Sequence, residues 1–272
     1  MKKILLVILL LFCFVNYSFC QFNTILKLNG NVLKYGDSIL YKSFNIMELQ
    51  PTVWLNGSSV VKDGSNYVSQ WNDLSGNENH AVQVIGANQP LYVTDGGNEF
   101  NNYPVIRFDG SNDMFEGTLI NGIESSSITI FAVVNGELKG QFVCSDGIFT
   151  INTAVTGFHF GRGESVRSLF IWNKNNYVRG LNELPHEGFQ AKILSAKKII
   201  NTRTSLYVNG NVIATSTNAI LNGTFTNTNY VIGKSSFYYK GSFAEIIVFK
   251  KELTEAERIN VERYLNAKYN IY

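Results

Sequence analysis

Two short stretches of the chain crowd oxygen atoms into tight turns. Asp73 is followed by Leu74, Ser75, Gly76 and Asn77, and Asp109 and Asp113 bracket Gly110, Ser111 and Asn112. Each turn offers carboxylate and carbonyl oxygens within a few residues. That is the donor set a hard cation such as calcium requires, since it takes about six to eight oxygen ligands. The same residues also build Asx turns, in which the side chain bonds its own backbone two residues on. The sequence leaves both readings open.

A second chemistry resides in the aromatics. Trp172 closes the apolar run 168–171 and precedes Asn173, Lys174, Asn175, Asn176 and Tyr177, while Tyr238 and Tyr239 follow Ser235 and Ser236. An aromatic ring at a loop mouth can pack on the apolar face of a sugar while neighbouring amides take its hydroxyls. Trp172, Tyr177, Tyr238 and Tyr239 are therefore the candidate ligand-binding residues. Burial in the core is the alternative for all four, and it is the expectation for Trp54 and Trp71.

Other chemistries lack their residues. His80, His159 and His186 show no pair at metal-binding spacing, and Cys144 lies in an apolar run as a buried thiol would. Carboxylates that act together on one strand face must stand two residues apart, and the acidic pair at that spacing, Glu255 and Glu257, falls on a helical segment. Asp146, Glu164 or Glu187 could meet a partner from another strand. No Gly-x-Ser-x-Gly turn, phosphate loop or dinucleotide fingerprint occurs. No catalytic residue is assigned, and the chain is not expected to be an enzyme.

Residues placed on sheet faces need strands, and the sequence supplies them. Asn29-Gly30 and Asn209-Gly210 each separate two short apolar runs, the strongest local signal for a hairpin. Along the chain, short alternating runs recur at 104–109, 128–134, 141–144, 168–172, 189–196 and 230–233, bounded by Gly, Asn, Ser or Asp. No long helical pattern intervenes, which points to antiparallel sandwiches and jelly rolls rather than parallel α/β folds. Residues 242–249 are apolar apart from Glu245, as for a strand covered on both faces. Thr254 and Glu257 then form a capping box opening a helix, whose Val261, Tyr264, Leu265 and Lys268 share one stripe. The expected fold class is all-β, an antiparallel two-sheet jelly-roll sandwich with a short C-terminal helix.

The chain has 272 residues. It opens with Lys2 and Lys3, an apolar run, and Ser18, Phe19 and Cys20 before Gln21, the order of a secretory signal peptide cleaved after Cys20. A lipid tether on Cys20 is disfavoured by Phe19, which stands where a small residue is wanted. The expected organisation is a signal peptide at 1–20, an N-terminal hairpin extension and linker at 21–50, and one jelly-roll domain at 51–272. Cys13 and Cys20 leave with the leader, so Cys144 alone of the three cysteines stays and no internal disulfide forms. There are 23 Lys and Arg against 21 Asp and Glu. Loss of Lys2 and Lys3 brings them to balance, which argues against nucleic acid or an anionic membrane as partner.

Three segments in series, residues 68–81, 104–113 and 243–249 with the terminal helix, resemble the laminin G-like branch of the concanavalin A-like lectin/glucanase superfamily, in the form common in secreted Bacteroidetes proteins. The likeness covers residues 51 to 272 and implies two antiparallel sheets in a jelly roll. It also implies a structural calcium with a ligand from the final strand, where Glu245 is the sole acidic residue, so Asp73, Asp109 and Glu245 form the expected metal set. Pairing of Glu245 with a neighbouring base is the alternative. The acidic strand motif of the superfamily's hydrolases is absent. The resemblance, the leader and the aromatic loops together imply a secreted, extracellular or cell-surface (or periplasmic) non-catalytic module that binds carbohydrate or surface glycan. The alternatives are an adhesion or surface-structural domain that binds protein, and an unrecognised glycoside hydrolase or lyase.

Overall fold

The computed structural model describes residues 44–118, 123, 126–137, 146–151, 158–163, 168–173, 176–180, 184, 188–218 and 229–272, with four two-residue strands between 27 and 39. The signal segment, Cys144, Glu164, His186 and Glu187 lie outside the described residues. The chain divides into two compact units, Met1–Phe44 and Asn45–Tyr272. In the first, β1 (Lys27–Leu28) pairs antiparallel with β2 (Asn31–Val32), Leu28 opposite Asn31, and β3 (Lys34–Tyr35) pairs with β4 (Ser38–Ile39).

The second unit begins with a 3-10 turn, Ile46–Leu49, capped by the Asn45 side chain. Residues 45–50 read as linker in the sequence, yet Ile46 is buried against the sheet. The strands that follow are β5 (Val53–Lys62), β6 (Val68–Asp73), β7 (Ala81–Val82), β8 (Leu91–Val93), β9 (Val105–Asp109), β10 (Phe115–Thr118), β11 (Ile128–Glu137) and β12 (Asp146–Ile151). After them come β13 (Phe158–Gly163), β14 (Ser168–Asn173), β15 (Asn176–Gly180), β16 (Gly188–Ile199), β17 (Arg203–Val208), β18 (Asn211–Ser216), β19 (Asn229–Ile232) and β20 (Lys240–Phe249), then helix α1 (Glu255–Tyr269).

Hydrogen bonding runs in the order β15-β14-β13-β12-β19-β10-β7-β6-β5-β20-β11-β16-β17-β18, with β9 attached to β20 and β8 to β9. Every pairing along it is antiparallel. So long a twisted path folds over on itself. Its two ends meet: a Cβ on Gly180 of β15 would fall 2.2 Å from the Ile213 side chain of β18, which the glycine lets pack closely. The all-β, antiparallel sandwich read from the sequence is the observed fold.

Period-two alternation explains the layers. Along β11, Ile128, Ile130, Ala132 and Val134 face the inner core with Phe158, Phe160, Leu169 and Ile171, while Phe131 and Val133 face outward. On that outer side they meet Ile247 and Phe249 of β20 and Val261, Leu265 and Tyr269 of α1. The strand at 242–249 is thus covered on both faces, by the second sheet and by the helix. Each large apolar side chain buried this way contributes about 1.5–3 kcal/mol.

Local signals hold as well. Asn209 and Gly210 adopt φ of 48° and 81° between β17 and β18, the left-handed pair a two-residue hairpin needs. The Thr254 hydroxyl accepts from Glu257 N, and the Glu257 carboxylate accepts from Thr254 N, closing the capping box. Among the described residues no helix is long and apolar enough to cross a membrane.

Candidate functional site

Alternation on β9 buries Ile106 and Phe108 and turns Arg107 and Asp109 to the outside. The turn that follows is locked from within. Asp109 Oδ1 accepts from Ser111 N (2.7 Å) and Asn112 N (3.3 Å), Asp113 Oδ2 accepts from Asp109 N (2.8 Å), and Gly110 supplies the positive φ of 83°. Asn112 Nδ2 donates to the Ala87 carbonyl (2.7 Å) and to Asn88 Oδ1 (3.1 Å), which clamps this turn to the 86–88 turn beside it. Gln89 Nε2 donates to the Gln83 carbonyl (2.8 Å), and Tyr67 forms an isolated bridge to Leu91.

These pieces enclose a cleft of about 550 Å³ bordered by Tyr67, Gln89, Leu91, Arg107, Asp109 and Asp113. The Tyr67 ring is half exposed, as ligand stacking requires. Asp113, in contrast, is buried. Its desolvation is the main cause that pushes its pKa up to about 6; the hydrogen bond from Asp109 N opposes the rise, and the Asp109 charge adds to it.

A second cleft, of about 510 Å³, opens alongside and is bordered by Glu99, Asn135, Glu137, Phe189, Gln190 and Lys240. Its frame is equally fixed. Asn135 Nδ2 donates to Glu99 Oε2 (2.7 Å), while Asn135 Oδ1 accepts from Ser242 N (2.7 Å). A Cβ on Gly136 would fall 2.2 Å from the Phe189 ring, so glycine lets that ring close against β11. Beneath lies a buried ion pair, Arg162 Nη2 to Asp146 Oδ2 at 2.6 Å, whose guanidinium sits 6.0 Å from the Phe189 ring centre and 5.4 Å from that of Tyr239. The clefts adjoin at two places. Arg107 Nη2 meets Glu137 Oε1 at 2.7 Å, and Lys240 is the register partner of Asp109.

The four aromatics singled out by sequence have different fates. Tyr239 is buried in the core and donates to the Asn135 carbonyl (2.9 Å), so it braces the second cleft and cannot stack on a ligand. Burial raises its pKa. Tyr238 is half-buried, with Lys234 Nζ 4.8 Å from its ring centre. Tyr177 is exposed, 4.9 Å from the Arg179 guanidinium, and stands opposite Trp172 in the β14–β15 pair; the Trp172 side chain is outside the described set. Trp71 is fully buried as expected.

The three expected metal ligands are not brought together. Asp73 Oδ1 accepts from Trp54 N (2.8 Å) and Ser75 N (3.0 Å), and Oδ2 from Ser75 Oγ (2.7 Å) and Asn79 N (3.0 Å), which ties the 73–79 loop to β5. Glu245 is buried under α1. Regular alternation with Ile247 and Phe249 turns Glu245 toward the helix, and the register shift between Val133 and Val134 takes up Ala244 as the extra residue. There Oε2 accepts from Lys268 Nζ (2.7 Å), Tyr269 hydroxyl (2.7 Å) and Asn56 Nδ2 (3.2 Å), and Oε1 from Trp54 Nε1 (2.5 Å) and Tyr264 hydroxyl (3.2 Å). Asp109 borders the first cleft. Among the described residues, no three His, Cys, Asp or Glu side chains are grouped to hold a metal ion. The Asx-turn reading of Asp73 and Asp109, and the paired reading of Glu245, describe the contacts observed.

Other titratable residues have structural work. His80 Nδ1 accepts from Asp73 N (3.0 Å), buried His159 Nδ1 meets Ser235 Oγ (3.1 Å), and Asp146 is the partner of Arg162. The sequence search passed over Tyr67, Gln89, Arg107 and Glu137. A signal existed for one of them: Arg107 and Asp109 stand two apart on a strand, a mixed pair that a search for acidic pairs excludes.

No protein-family model and no curated protein matches this sequence. Solved structures share its fold. The binding domain of Paraclostridial Mosquitocidal Protein 1 superposes with a TM-score of 0.58 at 14% identity, covering 81% of this chain and 53% of that one. The binding domain of Botulinum Neurotoxin DC in complex with SialylT gives 0.52 at 13% identity, with coverages of 80% and 52%. Domain 4 of AbnA, a GH43 extracellular arabinanase from Geobacillus stearothermophilus, in complex with arabinotriose, gives 0.51 at 14% identity, with coverages of 76% and 96%. The chain spans about half the length of the two toxin domains. At such identity the likeness establishes the β-sandwich fold and nothing finer.

Proposed function

We propose that this chain is a secreted, non-catalytic module of the laminin G-like kind that binds carbohydrate in the cleft beside β9. The observation that carries the reading is the half-exposed Tyr67 ring set against Gln89, Arg107 and Asp109 on a frame locked by Asn112. An aromatic platform with a few fixed polar groups is the arrangement that holds sugar rings. The neighbours solved with arabinotriose and with SialylT lend support at the level of the fold. Exposed Tyr177 is a second aromatic contact for the same class of ligand.

A glycan array run with and without calcium tests this directly, with Tyr67→Ala as the control. Binding that is lost in Tyr67→Ala at unchanged melting temperature supports the reading. An array with no ligand, beside capture of a purified protein receptor, would favour the second reading, a protein-binding domain. Exposed Val84 and Ile85 next to the first cleft are the feature that favours it. Release of reducing ends from a bound polysaccharide would instead identify a hydrolase.

A further inference from the structure

The two clefts share a wall, and their residues carry a consistent charge. Arg107 belongs to the first and Glu137 to the second, and the 2.7 Å ion pair between them forms the divide. Lys240 crosses the same boundary: its aliphatic stem covers Gly110, where an added Cβ would fall 2.8 Å from Lys240 Cβ, while its register partner is Asp109. The first residues of β20 lie between the clefts, paired with β9, while the rest of β20 pairs with Thr129–Val134 of β11, and the Arg107–Glu137 contact reaches across them.

Carboxylates dominate this ledge. Asp109, Asp113, Glu99 and Glu137 border the clefts against Arg107 and Lys240; the Arg107–Glu137 pair cancels, which leaves three carboxylates against Lys240. Such a surface repels a polyanion and accepts hydroxyl groups, since each ionised carboxylate is an acceptor only. Gln190 is exposed on the floor of the second cleft and supplies an amide with both donor and acceptor atoms. Phe189 beside it is buried in the core and backs the cleft, with the Arg162 guanidinium 6.0 Å from its ring centre.

We infer that the two clefts are successive subsites of one groove that takes an extended, uncharged polysaccharide across the Arg107–Glu137 divide. The inference rests on the carbohydrate-binding reading above and adds the class of glycan and the second half of its site. Ligand length then matters: a short oligosaccharide fills one cleft, and only a longer one gains contacts in both. Linking two weak contacts on one ligand raises affinity without strengthening either.

Affinity electrophoresis tests the class. Gels would contain linear arabinan, xylan or mixed-linkage β-glucan as uncharged probes, and polygalacturonate or alginate as charged ones. Retardation by an uncharged probe and by neither charged one is the expected result. For the retarding polysaccharide, oligosaccharides of increasing length are then titrated against the wild type, Tyr67→Ala and Gln190→Ala. Gln190→Ala should weaken the long oligosaccharides roughly three- to tenfold, the equivalent of one hydrogen bond, and leave the shortest unchanged. If affinity stops rising at the shortest lengths and Gln190→Ala binds all of them normally while Tyr67→Ala does not, the second subsite is wrong and the carbohydrate-binding cleft stands. Preference for the charged probes overturns the assigned class. Failure of every probe to retard the protein overturns this inference together with the function it rests on.

Discussion

The helix-covered face and the cleft-bearing ledge both gather carboxylates, but they use them in opposite ways. Glu245 is buried and takes five donors, from Trp54, Asn56, Tyr264, Lys268 and Tyr269, so its oxygens are filled by the protein itself. Glu262 beside it is similarly engaged by Ser195 and Arg258. On the ledge, Asp109 accepts two backbone amides of its own turn through a single oxygen, and Glu137 meets one half-exposed arginine. Where the protein completes the coordination of a carboxylate, the group holds the fold. Where it leaves lone pairs beside a cleft, the group can meet a ligand.

The sharpest way to break this contrast is Glu245→Ala, which leaves Lys268 and three ring or hydroxyl donors facing a void. It should destabilise the fold by about 3–5 kcal/mol in urea denaturation, the cost of removing one partner of a buried ion pair. Its retention of glycan binding wherever it stays folded would keep the two faces distinct. Tyr67→Ala should do the reverse, with roughly 2 kcal/mol lost from binding and under about 0.5 kcal/mol from stability. Equal losses in both properties would show that the cleft belongs to the core.

Asp113 offers a smaller effect with a definite sign. The folded protein holds its proton up to about pH 6, whereas an exposed aspartate releases it near 3.8, so ionisation costs the folded state. The stabilisation is fully present below the lower value and is lost as pH rises through the higher one. Asp113→Asn keeps an oxygen to accept Asp109 N but carries no charge. It should gain on the order of 1 kcal/mol at pH 8 relative to wild type, and the gain should vanish near pH 4, as followed by thermal unfolding. The smallest expected effect is that of calcium. With Asp73 and Glu245 already filled, millimolar calcium should leave the melting temperature unmoved, and a rise would direct attention to the ledge carboxylates.

Most of the fold was legible in the sequence because its signals are local. Alternation in β11, the Asn209-Gly210 turn and the Thr254–Glu257 box each act within a few residues, and each formed as read. The site was not legible in this way. Tyr67 and Arg107 are brought to one cleft by the pairing of β8 with β9 and by the Tyr67–Leu91 bridge, and no spacing along the chain encodes that meeting. Tyr238 and Tyr239 show a subtler limit. Adjacent residues in an extended segment face opposite ways, so one of them had to point inward, but composition could not say which. Asp73 and Glu245 illustrate a third: an oxygen-rich turn and an isolated acid look alike whether a cation or the protein's own donors complete them.

The meeting of β15 with β18 has a consequence for how the ends of the sheet are held. A strand at the end of a sheet carries amides and carbonyls that can recruit another chain. Here Ile213 of β18 packs into the space left by the missing side chain of Gly180 on β15, so the two end strands of the path meet through side-chain packing. A single methyl group at that glycine would meet the Ile213 side chain and loosen the packing between the two end strands.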